Sequence, residues 1–246
     1  MKNVVILGAT SAIAEHCARL WAEEGATLHL VARDGVRLEQ VAQDLRARGA
    51  TGAIPHVHDV RDRGALASSL AAAKAPTGRI DIVLVAFGTL PDQRKAETDV
   101  AYAVDAFDNN ATATLAALLM LADLMQDQGG GTIAVISSVA GDRGRASNHL
   151  YGAAKGAVSI FCEGLRARLF VKGVRVLLVK PGFVDTPMTK DLALPALLVA
   201  TPARVARDIV RAVGRGRSTI YTPFWWRAIM LVIRHIPGTV LKRLRF

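Results

Sequence analysis

The chain has 246 residues, 51% of them hydrophobic, which is enough for one large α/β domain or two small ones. Its two cysteines, Cys17 and Cys162, argue against a disulfide framework, and its six histidines show no metal-ligand spacing, so we expect no metal and a reducing, cytoplasmic compartment. The net charge of +10 is concentrated after residue 203, where ten basic residues accompany one acid, and this block predicts a polyanionic partner.

Short apolar segments alternate with longer helical patterns along the chain. The predicted strands are Val4–Leu7, Thr27–Ala32, Gly52–Val57, Ile80–Ala86, Gly131–Ser137, Val174–Lys180 and Ser218–Thr222. The predicted helices are Ala12–Glu24, Val36–Arg48, Arg61–Ala75, Val100–Gln128, His149–Val171 and Pro202–Arg215. This alternation predicts a doubly wound, Rossmann-like parallel sheet of about seven strands. We therefore assign residues 1–222 to a single α/β domain and residues 223–246 to a C-terminal amphipathic basic tail.

Small residues follow the first predicted strand and open the first predicted helix, in the segment Gly8–Ala14. Such residues let backbone N–H groups approach a pyrophosphate at a helix N-terminus. Alanines stand where two glycines would be expected, and an ordinary tight βα turn is the alternative. We expect dinucleotide contacts from five residues: Gly8, Thr10, Ser11, Ala12 and Ile13.

The residues that end the next strands indicate which dinucleotide binds. Arg33 closes the second strand, where an arginine favours the 2′-phosphate of NADP(H) over NAD(H). A solvated Arg33, or one paired with Asp34, is the alternative. Asp59 and Val60 follow the third strand and could contact adenine, although Asp59 could equally be a helix N-cap. NADP(H) is therefore the expected cofactor, and NAD(H) remains open.

A tyrosine and a lysine four residues apart indicate acid–base chemistry. Tyr151 and Lys155 share one face of a predicted helix, and Ser138 directly follows the fifth predicted strand, thirteen residues before Tyr151. A lysine ammonium beside the phenol is expected to lower its pKa from about 10. Ser138 can hydrogen-bond the same substrate oxygen. These residues predict proton transfer to or from a substrate hydroxyl.

Together these motifs resemble the short-chain dehydrogenase/reductase family over about residues 3 to 190. The resemblance implies that Tyr151 exchanges the proton, Lys155 holds the nicotinamide ribose and lowers the tyrosine pKa, and Ser138 orients the carbonyl. It also implies that Asn110, or less well Asn109, supports a water relay to the lysine. Further cofactor contacts implied in the same way are Ala86, Gly88, Pro181, Gly182, Val184 and Thr186. The family's Asn-Asn-Ala-Gly segment reads Val85-Ala86-Phe87-Gly88 in this chain.

A closer resemblance is to members of this family that reduce the 2-keto group of a pentose carried on a polyprenyl phosphate. It is carried by Ala86–Gly88, Gln93–Ala96, Ala140–Arg145 and the tail segment Tyr221–Pro237. The resemblance implies a lipid-linked sugar substrate and a flavin-dependent oxidase as a partner. Arg143 and Arg145 could bind the carrier phosphate, or could be solvated loop charges.

The tail independently favours a lipid. Phe224–Ile233 is almost wholly apolar yet shorter than the ~20 residues of a membrane-spanning helix. Trp225 and Trp226 suit the headgroup level, and anionic lipids could be met by three basic residues, Lys242, Arg243 and Arg245. We expect peripheral association with the inner membrane and no nucleic-acid partner; the alternative for the tail is a homo-oligomer contact.

Two other functions are compatible with this sequence. A soluble carbonyl or 3-oxoacyl reductase would share the same catalytic residues and cofactor. A non-enzymatic cofactor-binding regulator would use the basic tail on nucleic acid. Truncation near Thr222 is expected to separate a lipid-dependent enzyme from a soluble one.

Overall fold

A seven-stranded parallel sheet organises the protein, whose computed structural model describes residues 2–190, 192 and 194–243. The strand order is β3-β2-β1-β4-β5-β6-β9, and β7 pairs with β8 in a separate short ladder. The strands are β1 (Asn3–Leu7), β2 (Thr27–Ala32), β3 (Gly52–Val57), β4 (Ile82–Val85), β5 (Gly131–Ile136), β6 (Val174–Pro181), β7 (Phe183–Val184), β8 (Val199–Ala200) and β9 (Thr219–Thr222). The predicted Rossmann-like fold is confirmed.

Helices cover both faces of this sheet. They are α1 (Ala12–Glu23), α2 (Gly35–Ala47), α3 (Arg63–Lys74), α4 (Gln93–Thr98), α5 (Val100–Phe107), α6 (Ala113–Asp127), α7 (His149–Phe170), α8 (Pro202–Gly214), α9 (Trp226–His235) and α10 (Gly238–Leu241). One apolar cluster joins α1, α2 and α8 to the sheet, and a second joins α3, α6 and α7 to its other face. The central strands are buried on both sides, which explains why they are apolar without alternation.

The long helix predicted over Val100–Gln128 is two helices joined by a π-helical turn, Asp108–Thr112. The Asn110 side chain donates from Nδ2 to the Ala106 carbonyl at 2.9 Å, so it competes for an acceptor that a regular α-helix reserves for the backbone. π-Bulges of this kind are frequent at functional sites. Neither α4 nor the β7–β8 ladder was predicted from the sequence.

The tail folds back onto the domain. Trp226 and Met230 of α9 are 3% and 0% exposed, and they pack with Val139 in a third apolar cluster. Phe224 and Val232 remain 74% and 67% exposed. No helix within the described residues is long and apolar enough to cross a membrane. Arg245, one of the predicted lipid contacts, lies outside those residues.

Candidate active site

A cavity of about 410 Å³ opens at the carboxyl ends of the parallel strands. Parallel strands end at one edge of a sheet, so the loops that follow them meet there. The predicted catalytic residues that line this cavity are Ser138, Tyr151 and Lys155. The predicted cofactor contacts that line it are Gly8, Thr10, Ser11, Ala12, Ile13, Arg33, Asp59, Val60, Ala86, Gly88, Pro181, Gly182, Val184 and Thr186.

The turn after β1 depends on a close approach between two backbones. Gly8 has φ of 84°, and a Cβ there would lie 2.7 Å from the Phe87 backbone nitrogen. Only glycine combines that dihedral with that contact. Ser11, the N-cap of α1, makes no side-chain cap hydrogen bond, so the first N–H groups of α1 stay available on the cavity side.

The catalytic serine is held against the helix that carries the tyrosine. Gly141, in the 3₁₀ turn after Ser138, approaches α7 so closely that a Cβ there would lie 2.6 Å from the Lys155 carbonyl carbon. Ser138 accepts a hydrogen bond from the Ala140 N–H at 3.1 Å, and its hydroxyl lies close enough to the Tyr151 phenol to influence the pKa of that group. Lys155 Nζ lies 5.8 Å from the centre of the Tyr151 ring. The three predicted side chains therefore form one constellation.

Burial sets the protonation of this constellation, and one expectation was wrong. Burial raises the pKa of Tyr151 to about 12, and the neighbouring Ser138 hydroxyl partly offsets that rise. Burial of the phenol, and not the expected lowering by Lys155, dominates the pKa of Tyr151. Burial also lowers the pKa of Lys155, to about 8. Tyr151 is therefore a neutral phenol at physiological pH, the form required of a proton donor.

Asn110 lies behind the cavity wall rather than on it. Its Oδ1 accepts a hydrogen bond from the Thr89 N–H at 3.0 Å, and the residue is 1% exposed. A Cβ on Gly88 would lie 2.8 Å from Asn110 Oδ1 and 3.4 Å from Lys155 Nζ. Asn110 and Lys155 therefore lie close together on either side of Gly88, which has no side chain and leaves room for both. Asn109, by contrast, lines the cavity.

The adenosine end of the cavity carries an exposed arginine. The Arg33 guanidinium is 66% exposed, and its Nη1 lies 3.9 Å from Asp59 Oδ2. Asp34 does not pair with Arg33, because it caps α2 by accepting the Arg37 N–H at 3.0 Å. Asp59 accepts the Arg61 N–H at 2.9 Å while it also lines the cavity. Asp34 is therefore occupied as a helix cap, whereas Asp59 is not the N-cap of α3, because Asp62 fills that position by accepting the Ala65 N–H. The contact between Asp59 and adenine stays a prediction.

The two arginines expected to act together are separated in the structure. Arg145 lines the cavity, its Nε has no hydrogen-bond partner, and burial lowers its pKa. Arg143 is absent from the cavity lining and donates from Nη2 to the Ile236 carbonyl at 3.2 Å. The phosphate contact expected of Arg143 stays a prediction, and the structure instead shows this side chain bonded to the tail. Asn148, which the sequence did not single out, lines the cavity with a buried, unpartnered Oδ1.

The tail forms part of the wall behind the predicted cofactor contacts at Pro181 and Gly182. A Cβ on Gly182 would lie 1.9 Å from two atoms of the Trp226 indole, so the ring rests directly on the Gly182 backbone. Phe183 meets the same indole edge-to-face at 5.0 Å. Truncation near Thr222 would expose Val139 and Phe183, and it therefore cannot separate lipid binding from catalysis as expected.

The family model described as short chain dehydrogenase matches residues 2–195, which includes every residue of this constellation. The chain belongs to the short-chain dehydrogenase/reductase family. It is accordingly an NAD(P)-dependent oxidoreductase, which sets aside the non-enzymatic regulator.

Several relatives of this short-chain reductase extend over nearly the whole chain. It is 39% identical over 241 residues to an uncharacterized oxidoreductase of Mycobacterium tuberculosis, covering 98% of this chain and 96% of that protein. It is 36% identical to an uncharacterized oxidoreductase of Streptomyces coelicolor, covering 99% and 96%. A ketoacyl reductase of Nostoc, HetN, is 31% identical and covers 86% and 75%.

A crystal structure of a short-chain type dehydrogenase/reductase from Mycobacterium marinum superposes with a TM-score of 0.82 at 24% identity. The match covers 89% of this chain and 93% of that chain. At this identity the likeness supports the fold alone.

Proposed function

We propose that this short-chain reductase uses NADPH to reduce the 2-keto group of a pentose carried on a polyprenyl phosphate, as decaprenylphosphoryl-2-keto-pentose reductase does. The observation that carries the proposal is the continuity of one cavity from Ser138 and Tyr151 to Arg145. When Ser138 and Tyr151 hold the keto group, the oxygen-bearing groups next to it on the substrate lie in the polar part of the same cavity. Which ketone the enzyme reduces is the part of the proposal that experiment must test.

The residues present fit a nicotinamide dinucleotide. The uncapped N-terminus of α1 and the glycine turn at Gly8 suit a pyrophosphate. A bound nicotinamide supplies hydride to the carbonyl carbon. Tyr151 donates its phenolic proton to the carbonyl oxygen, and Ser138 hydrogen-bonds that oxygen as negative charge develops. Lys155 contributes positive charge on the cofactor side of the tyrosine.

The preference for NADPH rests on Arg33. Its exposed guanidinium stands at the end of β2, where a 2′-phosphate would lie, and Asp34 is committed to the α2 cap. No carboxylate from this position is free to bind the ribose hydroxyls. NADH remains a usable second cofactor in this proposal.

The substrate end favours an oxygen-rich ligand. Arg145 Nε and Asn148 Oδ1 are a donor and an acceptor that lack partners on the protein, and buried polar groups are normally satisfied. A hydroxylated sugar with a nearby phosphate would supply partners for both after a small side-chain adjustment. The fatty chain of a 3-oxoacyl substrate would not.

A lipid carrier also fits the tail, which we propose lies on a membrane surface. Phe224, Leu231 and Val232 are exposed beside two cations of the same segment, Arg227 and Arg234. Apolar side chains flanked by arginines bind anionic interfaces. A flavin-dependent oxidase that makes the ketone is the proposed partner. A homo-oligomer would cover further exposed residues, Val104, Leu119 and Ile160.

A 3-oxoacyl reductase is the second candidate, favoured by the similarity to the ketoacyl reductase HetN. The two are separated by KM values for a short-chain polyprenyl-phosphoryl 2-keto-pentose and for a 3-oxobutanoyl thioester. Arg145→Ala is expected to raise KM for the first about tenfold or more, since a charge-assisted hydrogen bond is lost, and to leave the second unchanged. Equal effects on both, or turnover of the thioester alone, would overturn the substrate assignment.

A further inference from the structure

Behind the catalytic serine lies a buried ion pair that takes no part in proton or hydride transfer. Lys180 Nζ and Asp142 Oδ1 are 2.6 Å apart, with side chains only 7% and 2% exposed. The Tyr221 hydroxyl donates to the other oxygen of Asp142 at 2.7 Å. We call these three residues the Asp142 cluster.

The Asp142 cluster joins the two sides of the active site. Asp142 ends the 3₁₀ turn that begins after Ser138, and Arg145 follows it by three residues. Lys180 immediately precedes the Pro181-Gly182 segment on the cofactor side, within β6. The ion pair therefore links the substrate-side loop, residues 138–148, to the end of β6.

The tail reaches the same cluster. Tyr221 belongs to β9, and Arg234 of α9 lies beside its hydroxyl. Burial next to Asp142 raises the pKa of Tyr221 to about 12, so the hydroxyl keeps the proton that it donates. Arg143, the residue after Asp142, is bonded to the Ile236 carbonyl. The loop is thus tied both to the sheet and to the tail.

Stability alone does not explain such a pair. Removing two charges from water costs about as much as their attraction returns, so apolar replacements are often neutral or stabilising. What an ion pair supplies instead is a fixed distance and orientation between the segments that carry it. Catalytic geometry is sensitive to this, because a misplacement of about 1 Å can lower the rate about 100-fold.

We propose that Asp142, Lys180 and Tyr221 are positioning residues that fix the substrate-side loop against the end of β6. The fixed loop holds Ser138 and Arg145 so that they face the ketone, while the cofactor side of the site stays in place. This inference rests on the family's reductase chemistry and not on which ketone is reduced. It predicts that weakening the cluster frees residues 138–148 locally.

The test uses hydrogen–deuterium exchange of the full-length protein. Asp142→Asn leaves the Lys180 ammonium buried without a counterion, so exchange in residues 138–148 is expected to rise about 100-fold. Tyr221→Phe removes one hydrogen bond to a charged group and is expected to give a rise of about tenfold, which keeps the test open if Asp142→Asn does not fold. The matched control is Asp123→Asn, which breaks an exposed pair with Arg168 at 3.0 Å.

Kinetics supply the readout that a purely structural role would not move. The NADPH dissociation constant is expected to stay within about twofold, while kcat/KM for the ketone falls at least about tenfold at temperatures where the variant is folded. A short-chain polyprenyl-phosphoryl 2-keto-pentose and a 3-oxobutanoyl thioester are assayed in parallel. Absence of turnover by the unaltered enzyme would count against the proposed substrates only, because exchange is measured without substrate. Exchange no greater than in Asp123→Asn, or raised equally along the chain, would overturn the positioning role.

Discussion

Replacement of Gly182 by alanine tests whether the tail is built into the active-site wall. A Cβ at this position would lie 1.9 Å from Trp226 Cε2 and Nε1, and an ordinary contact is 3.4 Å or more, so the indole must retreat by about 1.5 Å. Trp226 is 3% exposed and packed against Val139 and Phe183, so its retreat disturbs the whole cluster. Overpacking of this kind costs about 1–3 kcal/mol.

The assay is urea unfolding of Gly182→Ala together with its NADPH dissociation constant. The matched control is Gly164→Ala on the exposed face of α7, where a Cβ meets nothing within 4 Å. An alanine inside a helix should stabilise that variant by about 0.5–1 kcal/mol. In a Trp226→Ala background the cost of Gly182→Ala should largely vanish, because the clash is gone.

Two outcomes would refute this reasoning. One is unfolding of Gly182→Ala at the same urea concentration as the unaltered protein, and the other is a cost of this substitution that persists undiminished without the Trp226 indole. Either result would mean that α9 does not rest on the Pro181-Gly182 segment in solution. The expected result instead ties the tail to cofactor binding, since the same segment faces the cavity.

Three further predictions concern the chemistry. Tyr151→Phe should lower kcat by about 100-fold or more while the NADPH dissociation constant, measured by fluorescence, is kept, because only the proton donor is lost; a fully active variant would contradict the mechanism. Burial lowers the pKa of Lys155 to about 8 and raises that of Tyr151 to about 12. The value of kcat/KM for reduction should therefore fall as pH rises through about 8, because the lysine loses its charge there while the tyrosine is still protonated. Lys155→Arg should move that fall to higher pH. Arg33→Ala should raise KM for NADPH about tenfold and leave KM for NADH unchanged, since one charge-assisted contact is removed. The control Arg63→Ala, at an exposed surface position, should change neither KM. A parallel rise in KM for both cofactors would refute the 2′-phosphate role of Arg33.

The sheet and the cofactor-binding side of the site could be predicted from the sequence because each depends on a short run of neighbouring residues. A fully buried parallel strand needs a continuous apolar run, and a turn that presents backbone N–H groups needs small residues such as Gly8 directly after it. Tyr151 and Lys155 share a face through helical spacing alone. The predicted bounds of the strands therefore lie within about two residues of the observed ones.

The parts that could not be predicted depend on contacts between distant residues. Nothing in the pattern around Arg143 and Arg145 reveals that one meets the Ile236 carbonyl and the other lines the cavity. The π-helical turn follows from where the Asn110 amide bonds, which apolar periodicity does not encode. The pKa of Tyr151 depends on how deeply Lys155 and the phenol are buried, which residue spacing alone does not report.

The most direct test of the proposed function follows the hydride. The protein is incubated with NADPH deuterated at the transferred position and a short-chain polyprenyl-phosphoryl 2-keto-pentose, and the sugar product is examined by mass spectrometry and NMR. Deuterium at carbon 2 of an arabinose-configured product, absent with Tyr151→Phe, is the predicted result. Cofactor oxidation that labels only a 3-oxobutanoyl thioester offered in parallel, or no label on either, would contradict the lipid-linked sugar as substrate.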